Sequence, residues 1–359
     1  MNQIRSKAKA SRTRPRFPLP RYPTGWFQVA WSSDLKPGDV LPLQYFGKDL
    51  VLFRTEDGAP KVLDAHCPHM GAHLGHGGKV VGDSVECPFH AWRFNGDGEC
   101  TDIPYGKKIP KKAKMECWPL MERNGAIMVW HDLDERAPLW DLPELEAFSG
   151  SEEWSAPWHR QWRFRTHNQE MAENMVDIPH FQYVHGTVNL PDGEVEEDGP
   201  VLRLKANTTM TNRGGTVKGR IEATAYGFGF SVNMFSGLVD TALIGAVAPV
   251  DDEYVDVRFT FAVKKIGDHD ITKGIGKAFV AEISRQLEQD RPIWENKTYV
   301  HPPVLCDGDG PVGQFRKWCR QFYPDWYAAW SYKAYFGHYP KKASAEAIAK
   351  AEAWRPHDG

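Results

Sequence analysis

Between Tyr22 and about Trp130 the chain breaks into short apolar runs, among them WFQVAW, DLVLFR and AIMVW, separated by the turn signals KPGD, EDGAP, GDGE and RNGA. Runs of this length between such turns predict a small all-β domain. The segment 132–155, containing DLDERAPLWDLPELEAFSGSEEW, is rich in proline and acid and reads as a connection to a second domain. Beyond it the period changes. QEMAENMVDIPHFQYVH predicts a helical stretch near 168–185, and strands follow from about 201 to 265. In VDVRFTFAV, Val255, Val257, Phe259, Phe261 and Val263 alternate with Asp256, Arg258 and Thr260, the pattern of a half-buried antiparallel strand. GIGKAFVAEISRQLEQDRPIWEN returns to helical spacing, and the aromatic C-terminal part is expected to be helical. There are no internal repeats. Strands followed by a long helix indicate an α+β second domain. The expected division is a flexible basic tail over 1–20, an all-β domain over 21–135 and a second domain over 136–359.

Composition narrows the class. With 359 residues, 41% hydrophobic, 12% aromatic and 25% charged, the chain is an ordinary globular protein, and fourteen tryptophans favour deep apolar cores or pockets. A net charge of −3 argues against a nucleic-acid binder. The first sixteen residues carry six Lys or Arg and no hydrophobic run of the kind a signal peptide needs. Nothing approaches eighteen consecutive apolar residues, so no membrane span is expected, and the protein is expected to be cytoplasmic. Six cysteines in such a chain point to metal binding or burial rather than a disulfide framework.

Two of them carry chemistry. Residues 65–76 read AHCPHMGAHLGH, and CPFH follows twenty residues after Cys67, giving Cys67-x-His69 and Cys87-x2-His90. Two thiolates and two imidazoles on paired loops suit either a tetrahedral zinc or a two-iron cluster, although a C-x-H pair is unusual for zinc. Two iron atoms bridged by sulfide allow one iron to take both cysteines and the other both histidines. Four ligands complete such a cluster, so His66, His73 and His76 are expected to be neighbours, not ligands, and Trp92 is expected to cover it.

A second constellation lies in NMVDIPHFQYVH. Asp177 and His180 share a helix face, whereas His180 and His185 would diverge by about 140° on an ideal helix. Pro179 permits a distorted or ending helix that could bring the two imidazoles together. A non-haem iron site of the 2-His-1-carboxylate type also needs an acid. Asp290 falls on the apolar stripe of Ile283, Leu287 and Trp294, where an unpaired carboxylate would be costly. An arginine partner is the plainer explanation, and Glu282 and Glu288 compete on the same helix.

The two constellations in this order resemble the oxygenase component of Rieske non-haem iron oxygenases, over roughly Tyr22 to Tyr323. Residues 65–93 and 174–185, and DRPIWENKTYV followed by GQFRKWCRQFY, are most similar to steroid-acting members such as 3-ketosteroid 9α-hydroxylase oxygenase. The resemblance implies an all-β Rieske [2Fe–2S] domain, held by Cys67, His69, Cys87 and His90, followed by a helix-grip (START-like) catalytic domain with an antiparallel sheet. It implies mononuclear Fe(II) on His180, His185 and Asp290, with Asn174 supporting the site. Asp177 matches the aspartate that joins an iron-ligating histidine to a Rieske histidine of the neighbouring subunit and carries electrons between them. O2 would be co-substrate, and NAD(P)H would supply electrons indirectly, through a flavin reductase or ferredoxin, to a homotrimer. The substrate implied is a sterol, steroid or similar apolar molecule, to be hydroxylated, demethylated or desaturated. An aromatic O-demethylase or arylamine oxygenase is the alternative within the class, and a zinc-stapled lipid-binding protein the alternative outside it. Tyr226, Phe228, Phe230 and Met234 are the expected pocket residues, GTVNLPDGEVEEDGP after His185 an expected lid, and the lysine-rich 106–114 a surface that could steer an acidic redox partner.

Overall fold

The computed structural model of the chain describes residues 16–186, 192–212, 215–237, 239–267 and 269–354. Most of the basic tail, and 187–191 of the expected lid, lie outside the described residues. The chain forms two compact units. The smaller comprises the described parts of 1–20, 298–303 and 324–358; the larger comprises 21–297 and 304–323.

The first part of the larger unit is all β. Its strands are β1 (Gly25–Trp31), β2 (Val40–Tyr45), β3 (Lys48–Arg54), β4 (Pro60–Asp64), β5 (Lys79–Val81), β6 (Ser84–Glu86), β7 (Arg93–Asn95), β8 (Cys100–Asp102), β9 (Leu120–Arg123) and β10 (Ala126–His131). They form three antiparallel sheets, ordered β1-β10-β9, β2-β3-β4 and β5-β6-β7-β8. The loop between β4 and β5 carries Cys67 and His69, and the turn between β6 and β7 carries Cys87 and His90. Both cysteines are buried in one apolar cluster with Leu74, Val85, Trp92 and Phe94, so each loop is anchored by its cysteine.

The second part carries one seven-stranded antiparallel sheet. Its elements are β11 (Trp158–Phe164), the short helices α1 (Asn168–Glu173) and α2 (Ile178–Tyr183), β12 (Asp192–Asp198), β13 (Val201–Asn212), β14 (Gly215–Tyr226), β15 (Phe230–Ser236), β16 (Thr241–Pro249), β17 (Val255–Val263), the 28-residue helix α3 (His269–Asn296) and α4 (Val312–Trp318). Sheet order is β11-β17-β16-β15-β14-β13-β12. Helix α3 packs on one face of the sheet, against β17 and β11. A side chain at Gly276 would meet the Trp158 ring at 2.4 Å, so the helix lies close to β11 only because that position is glycine. In the smaller unit α5 (Asp325–Phe336) and α6 (Ala345–Ala353) pair through Trp326, Tyr327, Trp330 and Trp354.

Three expectations need correction. The helical stretch 168–185 is two short helices broken between Glu173 and Ile178. Part of the expected lid, Asp192–Asp198, is the edge strand β12, paired with β13 along its whole length. Finally, β17 is not half-buried: Asp256, Arg258 and Thr260 are as buried as the apolar residues between them. The all-β part covers that face. Tyr45 donates to Asp256 Oδ2 at 3.0 Å and accepts from Arg258 at 2.7 Å, Arg258 also donates to the Gln28 carbonyl, and Trp31 Nε1 donates to Thr260 Oγ1 at 2.9 Å. Arg163 closes the network on Asp256 with two bonds, of 2.7 and 3.1 Å. Burial pushes the Tyr45 hydroxyl up to about 12, against the nearby Arg258, so it stays a donor. Among the described residues no helix is long and apolar enough to cross a membrane.

Two outcomes follow from this packing. Asp256→Ala leaves Arg258 buried without its carboxylate and is expected to cost about 3–5 kcal/mol, read as a lowered denaturation midpoint, with Asp256→Asn costing less. His131 is enclosed, stacks on Phe46 and donates from Nδ1 to the Pro23 carbonyl. Burial lowers its pKa from 6.5 to about 4. Between those values the unfolded chain binds a proton that the folded chain refuses, so stability is unaffected above pH 6.5 and falls by roughly 3 kcal/mol as pH drops to 4. Denaturation midpoints measured across that window should show the slope in the parent and lose it in His131→Phe.

Candidate metal centres and substrate cavity

The two loops that carry Cys67 and Cys87 share one backbone design. Cys67 N–H donates to the Ala72 carbonyl at 2.9 Å and Gly71 N–H to the Cys67 carbonyl at 2.9 Å; Cys87 and Ala91 repeat this with Trp92 and Cys87 at 2.8 and 3.1 Å. The residue four places after each cysteine is left-handed, Gly71 at φ 76° and Ala91 at φ 56°. For Ala91 that conformation costs about 1–2 kcal/mol, which the loop geometry must offset. The result sets the His69 and His90 rings 4.6 Å apart, with Trp92 stacked on His69 at 4.6 Å and bonded from Nε1 to the Tyr105 hydroxyl.

The donor chemistry fits a cluster. Burial pushes the Cys67 thiol up to about 11, against the backbone N–H groups of His69 and Met70 and with help from the neighbouring Cys87 sulfur. A thiolate there needs a cationic partner, which a metal supplies. A single tetrahedral zinc is a poor fit. At zinc–ligand bonds of about 2.0–2.3 Å its four donors must lie within about 4 Å of one another. Among the described residues only one set of three or more His, Cys, Asp or Glu brings its donor atoms within 4.8 Å of each other, and it is not this one. Donors spread more widely suit two irons.

His66, His73 and His76 stand beside the loops. His66 is exposed, with Nε2 3.3 Å from Asp49, and His73 Nδ1 accepts from Gly75 N–H at 3.0 Å. Met70, Phe89 and Tyr105 are exposed apolar groups around the cluster loops, and the lysines of 106–114 are fully solvated.

The compact set is His180, His185 and Asp290. The five-residue histidine spacing works because α2 does not continue. The His180 carbonyl accepts from Val184 N–H at 2.8 Å and from His185 N–H at 3.4 Å, an i→i+5 closure that turns the second imidazole back towards the first. Their rings lie 5.0 Å apart, nearly perpendicular. His180 Nδ1 donates to the Asp177 backbone carbonyl, and His185 Nδ1 faces Gln289 Oε1 at 3.2 Å, which leaves both Nε2 atoms to face inward. Asp290, 7% exposed, approaches His185 Nε2 at 3.4 Å and accepts from Asn174 Nδ2 at 3.2 Å. Burial opposes a charge on His185, but Asp290 outweighs it and raises its pKa, so the carboxylate favours positive charge beside it. Two imidazoles and one carboxylate with donor atoms within 4.8 Å of one another could hold a metal ion, and they are the donor types that a 2-His-1-carboxylate site uses.

No arginine reaches Asp290 in any described contact. Its rivals are accounted for elsewhere on the helix: Glu282 pairs with Arg285 and Glu288 with Arg291, both at the surface. The Asp177 backbone carbonyl, and not its carboxylate, bonds His180, and the half-exposed side chain has no hydrogen-bond partner among the described residues. Gln289 was missed in the sequence, although its place next to Asp290 was a usable signal.

These three groups lie at the wall of a predominantly apolar cavity of about 1120 Å³. Along α3 it runs from Ile275 to Trp294, about 28 Å at 1.5 Å per residue. Phe228 and Phe230 line it, but Tyr226 and Met234 do not. Strand alternation explains the error. Ser231, Asn233 and Phe235 of β15 face the cavity, while Met234, Tyr226 and most of Phe230 pack with Trp26 and Trp130 on the opposite face.

Comparison with known proteins agrees with this geometry. Residues 25–118 match the Rieske [2Fe-2S] domain and residues 129–323 the 3-ketosteroid 9alpha-hydroxylase C-terminal domain. The chain is 34% identical over 330 residues to the oxygenase component of a 3-ketosteroid-9-alpha-monooxygenase of Rhodococcus rhodochrous, covering 85% of this chain and 84% of that one. It is 32% identical over 355 residues to cholesterol 7-desaturase of Bombyx mori, covering 89% and 74%. In fold it is similar to NdmA of Pseudomonas putida CBB5 with caffeine, with a TM-score of 0.70 at 19% identity over 89% of this chain and 97% of that one. It is also similar to dicamba monooxygenase bound to dicamba, with a TM-score of 0.66 at 17% identity over 83% and 96%.

Iron content tests the donor sets separately. Reconstituted protein is expected to hold about three irons per chain and to give a Rieske EPR signal after dithionite reduction. Asp290→Ala should drop to about two irons with that signal intact; loss of the signal instead would mean that Asp290 serves the cluster.

Proposed function

Because this chain belongs to the Rieske-type non-haem iron oxygenases whose C-terminal domain is that of 3-ketosteroid 9α-hydroxylase, we propose that it oxidises a C–H bond of a sterol- or steroid-like substrate. An oxygenase component of this kind carries a Rieske [2Fe–2S] cluster and a mononuclear iron, which together supply electron transfer and O2 activation, and receives its electrons from a reductase or ferredoxin. The observation that carries the substrate reading is the meeting of three convergent donors with a long apolar cavity of about 1120 Å³, at the upper end of ordinary ligand sites. A single aromatic ring would leave most of that space to water, which favours a sterol-sized molecule over an aryl ether or arylamine. Family membership overturns the zinc-stapled lipid carrier.

In this reading Cys67 and Cys87 hold one iron of the cluster and His69 and His90 the other, while His180, His185 and Asp290 hold the mononuclear iron. Asn174 fixes Asp290, and Gln289 and the Asp177 carbonyl orient the two imidazoles. The cavity walls exclude water and present a flat apolar molecule edge-on to the metal donors. The division near residue 135 separates the electron-receiving domain from the catalytic one. The working assembly is a cytoplasmic head-to-tail homotrimer served by an NAD(P)H-dependent reductase, directly or through a ferredoxin. Its contact is the Asp177 carboxylate, which has no hydrogen-bond partner among the described residues of its own chain, accepting from a Rieske-domain histidine of a neighbouring copy.

Incubation of the reconstituted system with sterols, ketosteroids and aryl ethers should give O2-dependent products from the first two groups. Products from aryl ethers alone would replace the substrate reading. Asp177→Ala should keep both metals and lose about 10–100-fold in turnover; normal turnover would rule out the inter-subunit contact.

A further inference from the structure

The cavity is not uniformly apolar, and its polar groups are unequal. Ser231 Oγ is already committed to the Gly245 carbonyl at 3.1 Å, and Gln286 Nε2 to Glu282. Asn233 is different. Its amide lines the cavity and has no hydrogen-bond partner among the described residues. An amide facing an apolar hollow is a standing cost unless a ligand or water satisfies it.

Its surroundings are cut to admit a ligand. Asn233 stands opposite Ala223 on one neighbouring strand and Leu243 on the other, and the adjacent row is Ala225, Ser231 and Gly245. A side chain at Gly245 would meet Ser231 Oγ at 2.8 Å and come within 3.9 Å of the Asn233 amide nitrogen, so the absence of one keeps the approach open. Ala223 on one side and the adjacent row of Ala225, Ser231 and Gly245 leave space in front of the amide on that part of the wall, with Leu243 on its other side.

Its level along the cavity can also be read. Leu243 packs with Val280 and Ile283, whereas Val247 packs with Leu287 and Trp294, and Phe259 touches both groups. Asn233 is therefore level with the helix turn seven to ten residues before Asp290, about 10–15 Å from it along α3. That is roughly the length of a four-ring skeleton.

We propose that Asn233 is a specificity-determining residue: its amide hydrogen-bonds a carbonyl or hydroxyl oxygen at the end of the substrate's ring system remote from the metal donors, and so sets which carbon lies at the metal. The inference rests on the sterol or steroid reading above and names the feature of that substrate class which is recognised. Hydrophobic contact alone lets a flat, nearly featureless molecule slide or reverse; one directional bond at the far end fixes both.

The test is equilibrium binding to the iron-loaded protein without reductant, so that turnover plays no part. The ligands are androst-4-ene-3,17-dione and the two monoketones that lack one oxygen each, androst-4-en-3-one and 5α-androstan-17-one. Parent, Asn233→Leu and Asn233→Ala are compared, the two variants guarding against a packing defect in either. Both variants should weaken the dione and one monoketone about tenfold and leave the other monoketone unchanged. Equal weakening of both monoketones, or of neither, overturns the role of Asn233 and leaves the substrate class standing. Failure of the parent to bind any of the three overturns the substrate class, and the role of Asn233 with it.

Discussion

One buried carboxylate holds the two halves of the larger unit together. Asp256 points away from the cavity, yet it is almost fully enclosed, and Arg163, Arg258 and Tyr45 all converge on it. Two of these come from the catalytic sheet and one from the domain that carries the cysteine loops. A buried ion pair of this kind adds little net stability over an apolar contact, but it is directional, and a shifted interface would leave a charge unpaired in the interior. The same strand, β17, turns Phe259 to the cavity and Phe261 to the packing of α3. Any change in how the all-β domain seats on the sheet is thus felt one side chain away at the wall of the cavity.

The catalytic half must satisfy two opposed demands. A sheet and a helix left to themselves would pack to interior density and leave no cavity. Here the sheet wall opposite α3 is built of Gly219, Ala223, Ala225, Ser231 and Gly245, too small to fill the space, while larger groups such as Phe279, Leu287 and Trp294 keep the helix in contact at its margins. Two salt bridges brace the end nearest the metal donors. Arg316 of α4 makes two bonds to Glu173 of α1, at 2.6 and 2.9 Å, and Lys297, just past α3, reaches the fully buried Glu170 at 2.9 Å. Burial raises the Glu170 pKa and Lys297 opposes it, a balance that holds only while α1 and the end of α3 stay together. Asn174 and Asp290, one from each element, are held at bonding distance by the same packing.

The cysteine loops were legible because their chemistry is local: each pair of donors lies within a few residues, and a C-x-H spacing disfavours zinc before any fold is known. Asp290 was legible for a different reason, as a carboxylate on an apolar helical stripe. What could not be read were the properties set by partners distant in sequence. The alternation in VDVRFTFAV is real, but periodicity records only that two faces differ, and a buried polar face matched by Tyr45 and Trp31 has the same pattern as a solvated one. The pocket failed for a related reason. Tyr226 and Met234 are large and apolar, which is what a core needs too, whereas the cavity wall is marked by smallness, and small residues carry no signal until a helix is seen to stand off from them.

The backbone is irregular on both sides of α2, at the break that follows α1 and at its own early end after Tyr183, and both irregularities shape the proposed metal site. On a continuous helix, residues five apart point in different directions, so His180 and His185 could share a metal only if the helix ended between them, as the i→i+5 closure at His180 makes it do. The break before α2 exposes backbone polar groups that must be used or shielded. The Asp177 carbonyl is used, accepting from His180. The Val176 carbonyl lies under Gly310, where any side chain would approach it to 2.7 Å, and Gly310 itself is left-handed at φ 72°. A loop 130 residues downstream in sequence therefore closes over the break and is constrained to glycine at the contact. The geometry that a regular helix could not supply is held by three separated pieces of chain, and the half-exposed Asp177 side chain does not cap the helix it precedes.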